Sequence, residues 1–157
     1  MKMRRGTSTR QPKQADRIPL EEIIQAQIVQ YLQSLRIFRH SVPNEAAGTN
    51  AVKTMQLISM GLWAGAGDLI VWWPLVADWY EYPEDPASGL PTYPVQLGYV
   101  EVKRPGVGVQ SPKQQSFERR CNRHSVPYML AYGVDDIKAE LERRGLAVML
   151  PRSFLPN

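Results

Sequence analysis

The sequence predicts an α/β domain, and three observations carry the prediction. Apolar side chains recur at helical spacing over residues 20–35, two short β-branched runs at 67–73 and 98–105 read as strands, and a capping signature at Ser111 opens a further helix. With 157 residues the chain is one domain of ordinary size, long enough to bury a core. Its hydrophobic share of 43% and charged share of 22% are those of a globular protein. The single cysteine, Cys121, excludes an internal disulfide framework and a Cys-based zinc cluster. No apolar run reaches the length of a membrane span and no signal-peptide core is present, so a reducing, cytoplasmic setting is expected.

The net charge of +4 is unevenly spread. Residues 1–17 hold Lys2, Arg4, Arg5, Arg10, Lys13 and Arg17 against Asp16 alone, which leaves 13 of the 19 basic and 14 of the 15 acidic residues to the rest of the chain. The body is therefore close to neutral, and the basic character sits in a tail. That tail is almost empty of apolar residues and is expected to be disordered, serving either as a cationic arm on nucleic-acid phosphates or as a solubilising leader. Residues 18–157 then form a single domain.

The first helix follows Pro19. Leu20, Ile24, Ile28, Tyr31, Leu32 and Leu35 make its apolar stripe. At about 100° per residue, Glu21 projects roughly 50° from the centre of that stripe and Glu22 roughly 150° from it. Glu21 thus leans towards the core, with Gln25 one turn later on the same flank, and Glu22 faces solvent. Favourable charge at a helix N-terminus accounts for Glu22 but not for an acid leaning on the apolar face. Residues 37–42 alternate as a first strand, 43–50 read as a loop, and 52–60 as a short helix stopped by Gly61. The strand at 67–73 carries Asp68 at its mouth, ahead of five apolar residues.

Segment 74–97 holds Asp78, Glu81, Glu84 and Asp85 without a single Lys or Arg, together with Pro74, Pro83, Pro86, Pro91 and Pro94. It reads as an insertion at the end of a hairpin, covering either the site or a partner surface. Beyond the second strand, Ser111 suits an N-cap, Pro112 the first helical position, and Gln114 completes a capping box. This helix should reach about residue 123, with Phe117 and Cys121 inward and Lys113, Arg119, Arg120 and Arg123 outward. A strand at 127–132, a helix at 135–144 closed by Gly145, and an edge strand at 146–150 complete the chain.

The chemistry gathers on the two acidic strands. Side chains alternate along a strand, so Glu101 and Lys103 share one face while Val100 and Val102 take the other. A surface ion pair explains Glu101 and Lys103 taken alone. Asp68 changes the weighing, because a lone carboxylate at the mouth of a buried strand needs a cation. Hydrolysis of a phosphodiester calls for a hard divalent ion held by oxygen ligands. Asp68 and Glu101, with the backbone carbonyl of Val102 and water, suit Mg2+ or Mn2+. Lys103 would orient water and stabilise charge, and Glu21 would add a third acid. His40 and His124 lack ligand spacing, Cys121 reads as core, and Trp72 and Trp73 read as core or interface rather than as base-stacking platforms.

Asp68 followed by Glu101-x-Lys103 resembles the signature of the PD-(D/E)XK nuclease superfamily, and the surrounding residues resemble its VRR-NUC branch. The resemblance rests on residues 40–45, Gly61-Leu62-Trp63-Ala64-Gly65-Ala66-Gly67-Asp68, Glu101-Val102-Lys103-Arg104-Pro105 and Ser111-Pro112-x-Gln114-x-x-Phe117. It runs from about residue 19 to about residue 141, the 74–97 insertion excepted. It implies a central mixed sheet flanked by helices, as in restriction endonucleases, and Mg2+- or Mn2+-dependent cleavage of DNA. It assigns Asp68 and Glu101 as metal ligands, Lys103 as the catalytic lysine, Gln114 as a site residue and Glu21 as the acid of the first helix. Asn44, Lys53, Arg104 and Lys113 become candidates for DNA contact, an ordinary turn or solvated side chains being the alternatives. Gly67 stands where the family usually has proline. Stand-alone members of the branch tend to pair, so a homodimer acting on branched or Holliday-junction DNA in repair is expected. The rival expectation is a nucleic-acid-binding subunit that keeps the fold without cutting.

Overall fold

Ile24, Ile28 and Leu32 recur at four-residue spacing and lie fully inside, which makes the opening segment a helix with one buried stripe. The computed structural model describes residues 19–42, 52, 55, 56, 59, 63, 65–88, 90 and 92–146. Among these residues the chain forms α1 (Glu21–Ser34), β1 (Arg39–Ser41), β2 (Leu69–Pro74), a short 3-10 helix (Trp79–Glu81), β3 (Val95–Val102), α2 (Pro112–Arg123), β4 (Tyr128–Ala131) and α3 (Val134–Arg143). The four strands make one sheet in the order β1-β2-β3-β4. β2 pairs antiparallel with both β1 and β3, while β3 and β4 run parallel. The architecture is α/β with a mixed sheet, as expected.

Alternation along the strands divides the core in two. Leu69, Val71 and Trp73 of β2 and Val100 and Val102 of β3 face Ile24, Ile28 and Leu32 of α1 and Ile137 and Leu141 of α3. On the opposite face Phe117 and Cys121 of α2 pack with Ala66, Tyr99 and Tyr128. The end of α3 is tied to the sheet by Arg144, whose Nε lies 2.6 Å from Glu140 Oε1 and whose guanidinium sits 4.9 Å over the Trp73 ring. The capping box at Ser111 forms as read from the sequence, with both reciprocal hydrogen bonds present.

Two expectations change. Residues 37–42 yield a shorter strand, Arg39–Ser41, the buried Ile37 giving its N–H to the Leu32 carbonyl at the end of α1 at 3.0 Å. The segment after β2 does not cover the acidic strand mouth. Pro74 pairs with Val95, so the insertion leaves from the closed end of the β2–β3 hairpin, whereas Asp68 and Glu101 lie at its open end. Six strand residues at about 3.4 Å each separate the two ends by roughly 20 Å. The insertion is instead anchored beneath α1: Trp79 Nε1 donates to the Leu35 carbonyl at 3.1 Å and the Tyr93 hydroxyl to the Arg36 carbonyl at 3.1 Å, with both rings buried. Of the expected 52–60 helix, the described Val52, Met55, Gln56 and Ser59 are helical. The basic tail at 1–17, the loop holding Asn44, Lys53 and the edge strand beyond Leu146 lie outside the described residues. Among the described residues no helix is long and apolar enough to cross a membrane.

Trp79 fills the core at the end remote from the acids. Trp79→Ala should therefore cost about 3–5 kcal/mol in urea denaturation while leaving the properties of the strand mouth in the folded fraction unchanged. A loss of stability under 1 kcal/mol would mean that the insertion is not anchored through this ring.

Candidate active site

β2 and β3 pair with Leu69 opposite Val100, and continuing that register by one residue sets Asp68 opposite Glu101. Both side chains then point to the face that α2 covers, beyond Tyr99. Asp68 is fixed from two sides: its Oδ2 accepts the Val102 N–H at 2.7 Å, and its carbonyl accepts the Val42 N–H at 2.8 Å. The N–H and C=O of one strand residue lie on the same side of the strand, so the Val102 carbonyl is also turned towards Asp68. Sequence reading gives no sign of the Val102 N–H, since it depends on the register between strands far apart in the chain.

Glu101 is wholly buried. Its Oε1 meets Lys103 Nζ at 2.6 Å and also accepts from Gln114 Nε2. Gln114 thereby does two things at once. Its Oε1 accepts the Ser111 N–H at 2.7 Å to close the capping box, and its amide nitrogen reaches the sheet. Gln114 therefore reaches Glu101 as well as completing the cap of the helix. Glu101 Oε2 is buried and has no hydrogen-bond partner among the described residues. An unpartnered carboxylate oxygen in that position is costly unless a proton or a cation satisfies it.

The electrostatics follow from the burial. Desolvation pushes the Glu101 carboxyl up to about 7, with Asp68 and Glu21 adding repulsion, and the Lys103 hydrogen bond only partly offsets this. Burial pulls the Lys103 ammonium down, but its hydrogen bond to Glu101 and the charges of Glu101, Glu21 and Asp68 outweigh it and leave the group raised. Lys103 is thus a fixed cation and donor rather than a base. Its main-chain N–H donates to Ala131 on β4 at 2.9 Å, and Gly108 folds back so closely that a Cβ there would fall 2.9 Å from Lys103 Cβ.

Glu21 stands at the rim. Its Oε2 lies 3.9 Å from Lys103 Nζ, and its side chain is 44% exposed, so it is less enclosed than its angle on the helix suggested. Glu22 is exposed, as expected. Arg104 is half-buried just after Lys103, Lys113 is exposed on the first turn of α2, and His40 and His124 are exposed away from any ligand cluster. Among the described residues no three His, Cys, Asp or Glu side chains gather closely enough to hold a metal by themselves. The donors a hard divalent cation would find here are two carboxylates with main chain and water, and the Glu101 Oε2 that lacks a partner among the described residues would suit such an ion.

Comparison with protein-family models, with curated proteins and with solved structures gives no match.

The raised Glu101 carboxyl has a consequence for metal-free protein. The folded state holds this proton more tightly than the unfolded chain, so the contribution of this group to stability is fully present below about 4.5 and is lost as pH rises through about 7. Denaturation in EDTA across that range should show wild type losing stability relative to Glu101→Gln, with the difference levelling off above neutrality. Parallel pH profiles for the two proteins would contradict the burial argument.

Proposed function

We propose that this chain is a divalent-metal-dependent DNA endonuclease of the PD-(D/E)XK type, related to the VRR-NUC branch. The supporting observation is the meeting, at one end of the β2–β3 hairpin, of Asp68, Glu101 and Lys103, with Glu101 Oε2 buried and without a partner among the described residues. Asp68, Glu101 and the Val102 carbonyl would hold Mg2+ or Mn2+, and Gln114 keeps Glu101 in place. When bound, the ion supplies Lewis-acid charge against the scissile phosphate and acidifies water. The chain's own part is positional and electrostatic. The Val102 N–H fixes the Asp68 carboxylate, Lys103 and Gln114 hold one Glu101 oxygen so that the other faces the site, and Lys103 offers its ammonium to water and to transition-state charge.

Two further elements belong to this reading. Arg104 and Lys113 flank the site and suit the phosphates of a DNA strand. A homodimer would let two sites address the two strands of a branched junction. Pairing through the 75–94 insertion, where Leu75 and Tyr82 are exposed, would turn those sites away from each other.

Plasmid nicking with Mg2+, Mn2+ or EDTA tests the activity. Asp68→Asn and Glu101→Gln should abolish cleavage and weaken divalent-ion binding, and Lys103→Ala should abolish cleavage while sparing ion binding, with folding of each variant verified by circular dichroism. Full activity in any one of them would remove the mechanism, and DNA binding without metal-dependent nicking in wild type would favour the non-cutting subunit. Junction, flap and linear substrates in the same assay rank the branched-DNA preference.

The neighbouring glutamates make an internal control. Glu21→Gln should lower cleavage about tenfold or more, the scale on which a charge near the reacting groups acts, whereas Glu22→Gln should change it less than twofold. The reverse ranking would mean that α1 presents its other side to the site.

A further inference from the structure

Trp63 lies outside the machinery described so far, yet it is held beside it. Its carbonyl accepts the Ala66 N–H at 3.0 Å, closing a turn in which Gly65 takes φ +85°. That turn is pressed onto the start of α2, where a Cβ on Gly65 would fall 2.6 Å from the Lys113 carbonyl carbon. The turn leads directly into Asp68, so the indole is positioned by the same two elements that position Asp68 and Gln114.

The indole is nevertheless 49% exposed. Arg120 places its guanidinium 4.5 Å over the ring, and Phe117 supports it at 6.3 Å between centroids. Lys113 and Arg120 are seven residues apart, two helical turns, and so lie along one side of α2. With Arg119 and Arg123 they are exposed, and no carboxylate among the described residues forms a salt bridge with any of the four. An exposed aromatic ring stacked with arginine, among cations that no described carboxylate pairs, suits a polyanion that carries flat π-faces. It does not suit an apolar protein partner, which would leave those cations desolvated and unpaired.

We propose that Trp63 and Arg120 form a stacking platform for an unpaired base of the DNA substrate, with Lys113 on the adjoining phosphate. The inference rests on the nuclease reading for its class of ligand and deepens it: the preferred substrate has an unstacked base next to the cut, as in a single strand, flap or branch. A base within continuous duplex is already stacked on its neighbours and does not reach the indole.

The test uses binding in EDTA, where nothing is cut. Titration of the full-length protein with oligothymidylate should quench tryptophan fluorescence. Trp63→Ala should lose most of that quenching and weaken oligothymidylate binding about tenfold or more, while blunt-duplex binding stays within twofold and thermal stability is retained. Trp63→Phe should restore most of the single-strand affinity. Unchanged quenching in Trp63→Ala, or equal losses for single strand and duplex, would overturn the platform. The nuclease reading is judged separately by the metal-dependent nicking of Asp68 and Glu101 variants. A wild-type protein that binds neither form of DNA would overturn the platform too and point the surface towards an acidic peptide.

Discussion

The site is built around a carboxylate that the sheet has taken out of water. Burying Glu101 is unfavourable in isolation, and every near neighbour acts on that cost. Lys103 supplies a cation from just past the end of the same strand, two residues on, and Gln114 supplies an amide from α2. The second oxygen has no donor among the described residues. Neutral packing would have served stability better than this arrangement. The strain it keeps is what a proton or a bound cation would relieve.

The pairing of β2 with β3 decides whether those parts can meet at all. Side chains alternate with a period of two, so a slip of one residue would send Asp68 to the face occupied by Leu69 and Val100 and leave Glu101 opposite an aliphatic core. The bulky inner row of Leu69, Val71 and Trp73 forbids that slip, because it would bring Ile70 and Trp72 inward instead. The apolar core on one face thus fixes the acid pair on the other. α2 adds the same kind of constraint lengthwise, since Gln114, the partner of Ser111 in its capping box, also touches Glu101.

Much of this was legible in the sequence wherever the determining distance along the chain is short. The shared face of Glu101 and Lys103 follows from strand alternation, and the α2 cap from three adjacent residues. What could not be read depends on long-range placement: the Val102 N–H on Asp68, the reach of Gln114 to the sheet, and the exposure of Trp63 beside Arg120. Glu21 illustrates a different limit. A helical projection gives the angle of a side chain but not its depth, and Glu21 sits where α1 begins, at the rim of the sheet rather than over it. The location of the insertion was in principle available, since acids at the outer ends of two hairpin strands force the connection to the opposite end. Reading each strand singly hides that step.

Separation of the insertion from the acids also makes the molecule modular. Trp79 and Tyr93 clamp the two roots of the insertion to the end of α1, and the stretch between them is held locally by Asp85, which accepts from Ala87 N and Ser88 Oγ. The tip can therefore be lengthened, shortened or replaced without transmitting a change to the strand mouth, because the cost of closing a longer loop grows only slowly with its length. For an engineer, residues between Pro83 and Thr92 are the natural place to graft a targeting peptide or a second folded module. The grafted unit would ride at the end of the hairpin opposite the acids, free to select an address while they keep their geometry.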